Sequence, residues 1–128
     1  MRTCHLLLIF VLAVAAVRSA TAGSEPVNEM YGYGVNSCGD YLQSRADKNP
    51  FQASAYSTWF TGYLTEASAV YSVLYGRVVD FLGDTDINGA AYWMENYCRK
   101  YPTAHFASAA NEFVVMELRK MDLGAKPK

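Results

Sequence analysis

The sequence predicts an all-α fold: a compact four-helix domain with one disulfide, placed after an N-terminal signal peptide. Three observations predict it. Apolar residues recur every three or four positions over most of residues 37–121. Alternation with period two is almost absent; Val78-Val79-Asp80-Phe81-Leu82 is the one strand-like run, and it is short. Beyond the leader only Cys38 and Cys98 remain, which allows a single intramolecular bridge. At 128 residues, 52% apolar and 18% charged, the chain suits one domain and is too apolar for a disordered tail.

Residues 1–22 read as an address. Arg2 gives a positive start, residues 6–17 are unbroken apolar, and Ala20-Thr21-Ala22 supplies small residues before Gly23. Twelve apolar residues at a rise of ~1.5 Å span about 18 Å, too little for a ~30 Å hydrocarbon core. The expected location is therefore periplasmic or secreted, through a Sec-type signal, with Cys4 lost on cleavage. An oxidising compartment favours pairing of Cys38 with Cys98. That bridge closes a loop of about 60 residues and contributes about 4 kcal/mol in the chain-entropy treatment. A redox pair is the rival reading, but the two cysteines form no CxxC motif. Losing Arg2 and Arg18 leaves nine basic side chains against twelve acidic ones. That balance carries no nucleic-acid footprint, and no later stretch is long enough for stable membrane insertion.

The elements follow in order. Residues 23–36, with Pro26 and the YGYG glycines, read as an irregular arm with aromatic anchors. The helical domain spans 37–123. Its first helix starts at Ser37, an N-cap with Asp40 three residues on, and ends before Asn49-Pro50. The second runs from Phe51 or Gln52 to about Leu74. Its expected buried stripe is Ala55, Trp59, Gly62/Tyr63, Ala67, Val70 and Leu74, with Gly62 admitting a close neighbour. A connection with one short turn covers 75–85. The third helix starts near Asp86 and stops before Pro102, burying Ile87, Ala90, Ala91, Met94, Tyr97, Cys98 and Tyr101. Thr103 caps the fourth, which buries Phe106, Ala109, Ala110, Phe113, Val114 and Met121 and stops at Gly124. Residues 124–128 are a tail. Because Cys38 opens the first helix and Cys98 nearly closes the third, the first helix must cross the others obliquely or run antiparallel to the third.

Candidate chemistry is sparse. The chain beyond the leader has one histidine, His105, and no zinc-ligand spacing, GxSxG, phosphate loop or HExxH. Asp84-Thr85-Asp86-Ile87-Asn88-Gly89 followed by Glu95 satisfies the spacing of a calcium loop, with Asp84, Asp86, Asn88 and Glu95 as ligands. Calcium is the one cofactor suggested. Against it, Ile87, Ala90, Ala91 and Met94 already share a helical face, so the acids also read as an N-cap suited to the positive helix end. All ten tyrosines lie beyond the leader. Tyr71, Tyr75, Tyr92 and Tyr101 can decorate a surface, and the contact surface is expected at Tyr31, Tyr33, Tyr92 and Trp93.

Ser37-Cys38-Gly39-Asp40-Tyr41-Leu42, Trp59-Phe60-Thr61-Gly62-Tyr63-Leu64, Asp80-Phe81-Leu82 with Asp86-Ile87-Asn88-Gly89, and Trp93-Met94-Glu95-Asn96-Tyr97-Cys98 resemble small exported proteobacterial helical proteins. The GYL segment and YPTAHFASAANEFVVMEL are similar to the Tai-type immunity family of type VI secretion amidases. The cysteine-started first helix, the DxxG turn and the second cysteine are similar to the HdeA/HdeB acid-chaperone family. The first resemblance implies a non-enzymatic inhibitor that occludes a secreted peptidoglycan amidase. The second implies an acid-dissociated dimer that protects unfolding proteins. The expectation is thus an exported binding protein, not an enzyme, whose partner is another protein; a monomer and a homodimer are both compatible with the sequence.

Overall fold

The computed structural model describes residues 29–47 and 49–123. The expected signal peptide at 1–22, residues 23–28 of the arm and the 124–128 tail lie outside the described residues, as does the helix stop expected at Gly124. A 3-10 turn, Gly32–Val35, precedes four helices: α1, Cys38–Ala46; α2, Pro50–Tyr75; α3, Ile87–Lys100; and α4, Phe106–Lys120. There is no strand among the described residues.

The start of α1 is built as the sequence predicts. Ser37 Oγ accepts from the Asp40 amide at 3.1 Å, and Asp40 Oδ2 accepts from the Ser37 amide at 3.0 Å. Two further first-turn amides find partners outside the helix. Cys38 N donates to Ala104 O and Gly39 N to Pro102 O, both at 2.8 Å. The Phe106 amide returns the bond, donating to Asn36 O at 2.8 Å. The two chain segments thereby satisfy each other's orphan helix donors. Cys38 and Cys98 form the disulfide beside this seam, with Cα atoms 4.8 Å apart. Further along α1, Tyr41 OH meets Ala91 O and Arg45 meets Glu95. The first helix therefore packs against α3, starting from the Cys98 end.

Thr103 does not cap α4. His105 holds the N-cap position and makes no side-chain cap bond. Its Nδ1 instead donates to Val35 O at 2.8 Å. The seam already serves the Phe106 amide, which removes part of the need for a hydroxyl cap. At the other end Asp122 adopts φ 57°, and Leu123 N reaches back to Leu118 O at 2.8 Å. The left-handed stop thus falls on Asp122, two residues before the glycine expected to supply it.

The second helix differs most from expectation. It begins one turn-position early, at Pro50, because Asn49 Oδ1 accepts from the Phe51 and Gln52 amides. It ends on Gly76 at φ 63°. Its buried residues are Tyr56, Phe60 and Leu64, not the stripe read from the sequence. Ala55, Trp59, Tyr63 and Ala67 are half-buried on the flank, and Val70 and Leu74 are exposed. The cause is that α2 is apolar or small almost all round, with Glu66 its one charge, so periodicity does not single out a face. Gly62 admits no neighbour; a Cβ built there meets nothing within 4 Å.

The core converges on Phe106. Tyr41, Tyr56 and Trp59 lie with ring centroids 4.7, 4.9 and 5.8 Å from it, and Phe60 at 6.3 Å. Phe60 also meets Phe113 at 5.6 Å, edge to face. Burying each such ring stabilises by roughly 1.5–3 kcal/mol. The arm is not irregular where it meets this core. Trp59 Nε1 donates to Tyr31 O at 2.9 Å, and Tyr33 packs edge-on against Tyr56 at 4.7 Å. A Cβ on Gly34 would lie 2.1 Å from the Trp59 ring, so only glycine lets the turn seat there. The 76–86 connection is pinned from α2. Ser68 Oγ donates to Val79 O, and Val79 N donates to Ser72 Oγ at 2.9 Å, which allows Val79 and Phe81 to be buried.

Two glycines therefore predict opposite outcomes in urea unfolding. Gly62→Ala should raise stability by about 0.5–1 kcal/mol, from helix propensity alone. Gly34→Ala should lower it by about 1–3 kcal/mol through collision with Trp59; equal effects of one sign would contradict the packing. A pH dependence follows from the caps. The hydrogen bonds from Ser37 hold the Asp40 carboxyl below the usual range, and the bond from the Gly89 amide does the same for Asp86. The unfolded chain then binds more protons, so this stability is present above the ordinary carboxylate pKa and is lost as pH falls through the depressed values. Replacing both with Asn should flatten the decline in unfolding free energy below about pH 4, measured against the parent chain.

Candidate aromatic interface

Helical spacing puts Trp93, Tyr97 and Tyr101 on one face of α3, or just beyond its end, at intervals of four. Trp93 and Tyr97 stack at 5.6 Å and 21°, and Tyr97 and Tyr101 pack at 4.9 Å and 49°. Phe113 of α4 meets Trp93 edge-on at 5.4 Å and fixes its inner side. Glu112, Met116 and Arg119 come from α4 and face this row, enclosing with it a groove of about 390 Å³. Lys100 Nζ stands 5.2 Å from the Tyr101 ring centroid, within cation–π reach. Burial, and then the neighbouring Glu112, push the Tyr97 phenol above its ordinary value. Its hydroxyl is therefore protonated at neutral pH and able to donate. The groove offers flat apolar faces, a phenol donor, a flexible Met, two cations and the carboxylate of Glu112.

A second cleft, of about 460 Å³, lies between α1 and α3. Its one acid, Glu95, is already paired. Glu95 accepts from Arg99 at 2.7 Å and has Arg45 at 3.6 Å.

The structure places the four expected contact residues in two groups. Tyr31 is exposed, but its carbonyl is held by Trp59; Tyr33 is half-buried against Tyr56. On α3, Tyr92 is 67% exposed and faces away, while Trp93 turns inward into the groove. Adjacent helix positions diverge by about 100°, so the Tyr92/Trp93 pair does not form one surface. Of the other tyrosines read as surface candidates, Tyr101 is exposed, whereas Tyr71 and Tyr75 stack on each other half-buried. Tyr97, Met116 and Arg119 are contacts that the sequence reading does not include. The four-residue spacing from Trp93 to Tyr101 is the available signal for Tyr97; nothing in the sequence joins Met116 and Arg119 to it before α4 is placed.

The four residues of the calcium spacing are not brought together. Helix α3 already begins at Ile87, so Asp86 and Glu95 are separated by about 13 Å of helix rise. Oxygens bound to one calcium at ~2.3–2.6 Å cannot be that far apart. Asp86 Oδ1 instead accepts from the Gly89 amide at 2.8 Å, as an N-cap. Glu95 is taken by the two arginines. Gly89 has its own reason: a Cβ there would lie 2.1 Å from Thr85 Oγ1, which folds over the first turn. Among the described residues, no helix is long and apolar enough to cross a membrane.

No protein-family model, curated protein or solved structure matches the chain.

Calcium added to millimolar concentration should leave both the melting temperature and the tryptophan fluorescence of the protein unchanged. A saturable shift abolished by Glu95→Gln would overturn the N-cap reading of Asp86.

Proposed function

We propose that the chain is an exported, non-enzymatic binding domain that holds another protein in the groove between α3 and α4, in the manner of an immunity or inhibitor protein. The observation that carries this reading is the row Trp93, Tyr97 and Tyr101, rigidly backed by Phe113 and flanked by Met116 and Arg119. Rigid aromatic rings lose little conformational entropy on binding and bury much area. The helix that carries them is tied at Cys98 to α1, so the surface is held in place before a partner arrives. Preorganisation of that kind suits occlusion of a preformed cleft. Lys100 and Arg119 outnumber Glu112 in the groove, which favours a partner whose rim carries acidic groups. Export is supported by the leader-like residues 1–22 and by the disulfide, which persists in an oxidising compartment.

The finer reading, inhibition of a secreted cell-wall amidase, rests on the resemblance of residues 101–118. That segment contributes Tyr101, Glu112 and Met116 to the groove.

A photoreactive phenylalanine analogue in place of Tyr101 should cross-link one cell-wall hydrolase in the cells that make the protein. The same analogue in place of the exposed Ser54 of α2 should not. Tyr97→Ala should lower the adduct yield about tenfold, the expected scale for an aromatic anchor. Equal labelling from both positions, or labelling insensitive to Tyr97, would remove the groove as the binding site.

A further inference from the structure

A recess of about 70 Å³ enters the core where α1, α2 and α3 come together. One ordered water needs about 10–15 Å³ of such space, so a short hydrocarbon chain fits. The room comes from small side chains on both flanks, Ala53 and Ser57 of α2 and Ala91 of α3. Beyond them the walls are Tyr56, Phe60, Met94 and Phe106, each no more than 2% exposed. The recess thus reaches close-packed apolar interior, where a void forfeits dispersion contacts unless something fills it. Arg45 and Ser57 are the exposed members of the lining and mark its mouth.

Two polar groups of the lining have bonding capacity that the fold leaves unspent. Arg45 stands 3.6 Å from Glu95, beyond hydrogen-bond reach, while Glu95 Oε1 accepts from Arg99 at 2.7 Å. The Arg45 fork, with its five donors, therefore has no carboxylate at bonding distance among the described residues. Two guanidinium groups share one acid, and the surplus charge is positive. Tyr41 is 4% exposed, and its hydroxyl donates to Ala91 O over 3.3 Å. Hydroxyl bonds ordinarily fall at about 2.5–3.0 Å, so this buried donor is poorly served. Burial pushes the Tyr41 phenol up, which keeps the proton on it at neutral pH. Tyr41 and Arg45 are four positions apart on α1 and so stand side by side. An apolar interior with a cation and a hydroxyl donor at its edge selects one chemical class, a monocarboxylate with a short apolar tail. The carboxylate meets the guanidinium fork, and the tail supplies the missing interior contacts. A cationic ligand is repelled by Arg45 and Arg99, and an uncharged one leaves the donors unserved.

We infer that the recess between α1, α2 and α3 binds a small aliphatic monocarboxylic acid, its carboxylate on Arg45 and Tyr41 and its tail among Phe60, Met94 and Phe106. The recess shares no lining residue with the α3–α4 groove, so the inference stands without the function proposed above. Its lining draws on all four helices, so occupancy stabilises the folded chain.

Isothermal titration of the purified, disulfide-bonded protein with sodium hexanoate tests it, with hexanol as the uncharged control. Hexanoate should bind saturably, at one site per chain, and raise the melting temperature with concentration. Hexanol should bind at least about tenfold more weakly, the scale of one charge-assisted hydrogen bond. Arg45→Gln should weaken hexanoate by a similar factor and leave hexanol unchanged. Ala91→Leu, which fills the recess, should abolish binding of both. Ala53→Leu should do the same from the α2 side, and far-UV circular dichroism checks that each variant is folded. No saturable binding of hexanoate, equal affinity for the acid and the alcohol, or hexanoate binding that survives both leucine substitutions would each overturn the inference.

Discussion

The fold depends on one seam. The start of α1 and the α3–α4 loop exchange backbone hydrogen bonds: Cys38 and Gly39 donate to Ala104 and Pro102, and Phe106 donates to Asn36. Buried amides must be satisfied somewhere, and here two helix beginnings supply each other across most of the helical domain. The disulfide sits at the same place and converts proximity into connection. The consequence is geometric. With Cys38 fixed to Cys98, α1 starts beside the end of α3, and α4 sets out from the same point as α1. Phe106 is therefore delivered to the one position where rings from α1 and α2 converge on it. The polar seam and the aromatic centre are adjacent parts of one arrangement.

The groove inherits its rigidity from that arrangement. Trp93 cannot turn away, because Phe113 stands behind it. Phe113 cannot shift without disturbing Phe60, which packs against it on the core side. The open side of the aromatic row is thus backed by close-packed interior, where small displacements are resisted. In the binding role proposed for it, the groove would gain its selectivity from shape fixed in advance, not from loops that adapt.

Much of this architecture is legible in the residues. The Ser37–Asp40 box, the third helix with its strong one-sided pattern, the bridge and the all-α class follow from local chemistry that context does not override. The second helix is less legible for a physical reason. Ser, Thr, Ala and Gly share its outer side with Phe51, Val70, Val73 and Leu74, so the contrast between faces is weak, and tertiary contact alone selects Tyr56, Phe60 and Leu64. The start of the fourth helix cannot be read from Thr103, because a donor that a hydroxyl would serve is met by Asn36, far away in the chain. The calcium spacing is matched letter for letter by residues with other tasks: Asp86 caps, Gly89 makes room for Thr85, and Glu95 holds two arginines. Half of the groove is visible as an aromatic repeat. The other half requires knowing which side of α4 faces α3.

The seam also governs when the chain can fold. Loop closure over such a distance must precede the contacts that reward it. A polypeptide emerging amino end first has its first helix early, yet the carbonyls that receive that helix's leading amides arrive only with residues 102–104, and the ring at the heart of the core only with residue 106. Until then α1 and α2 have no durable resting place. Everything from residue 36 to residue 106 must be in hand before the helical domain is settled, which keeps the growing polypeptide pliable until then.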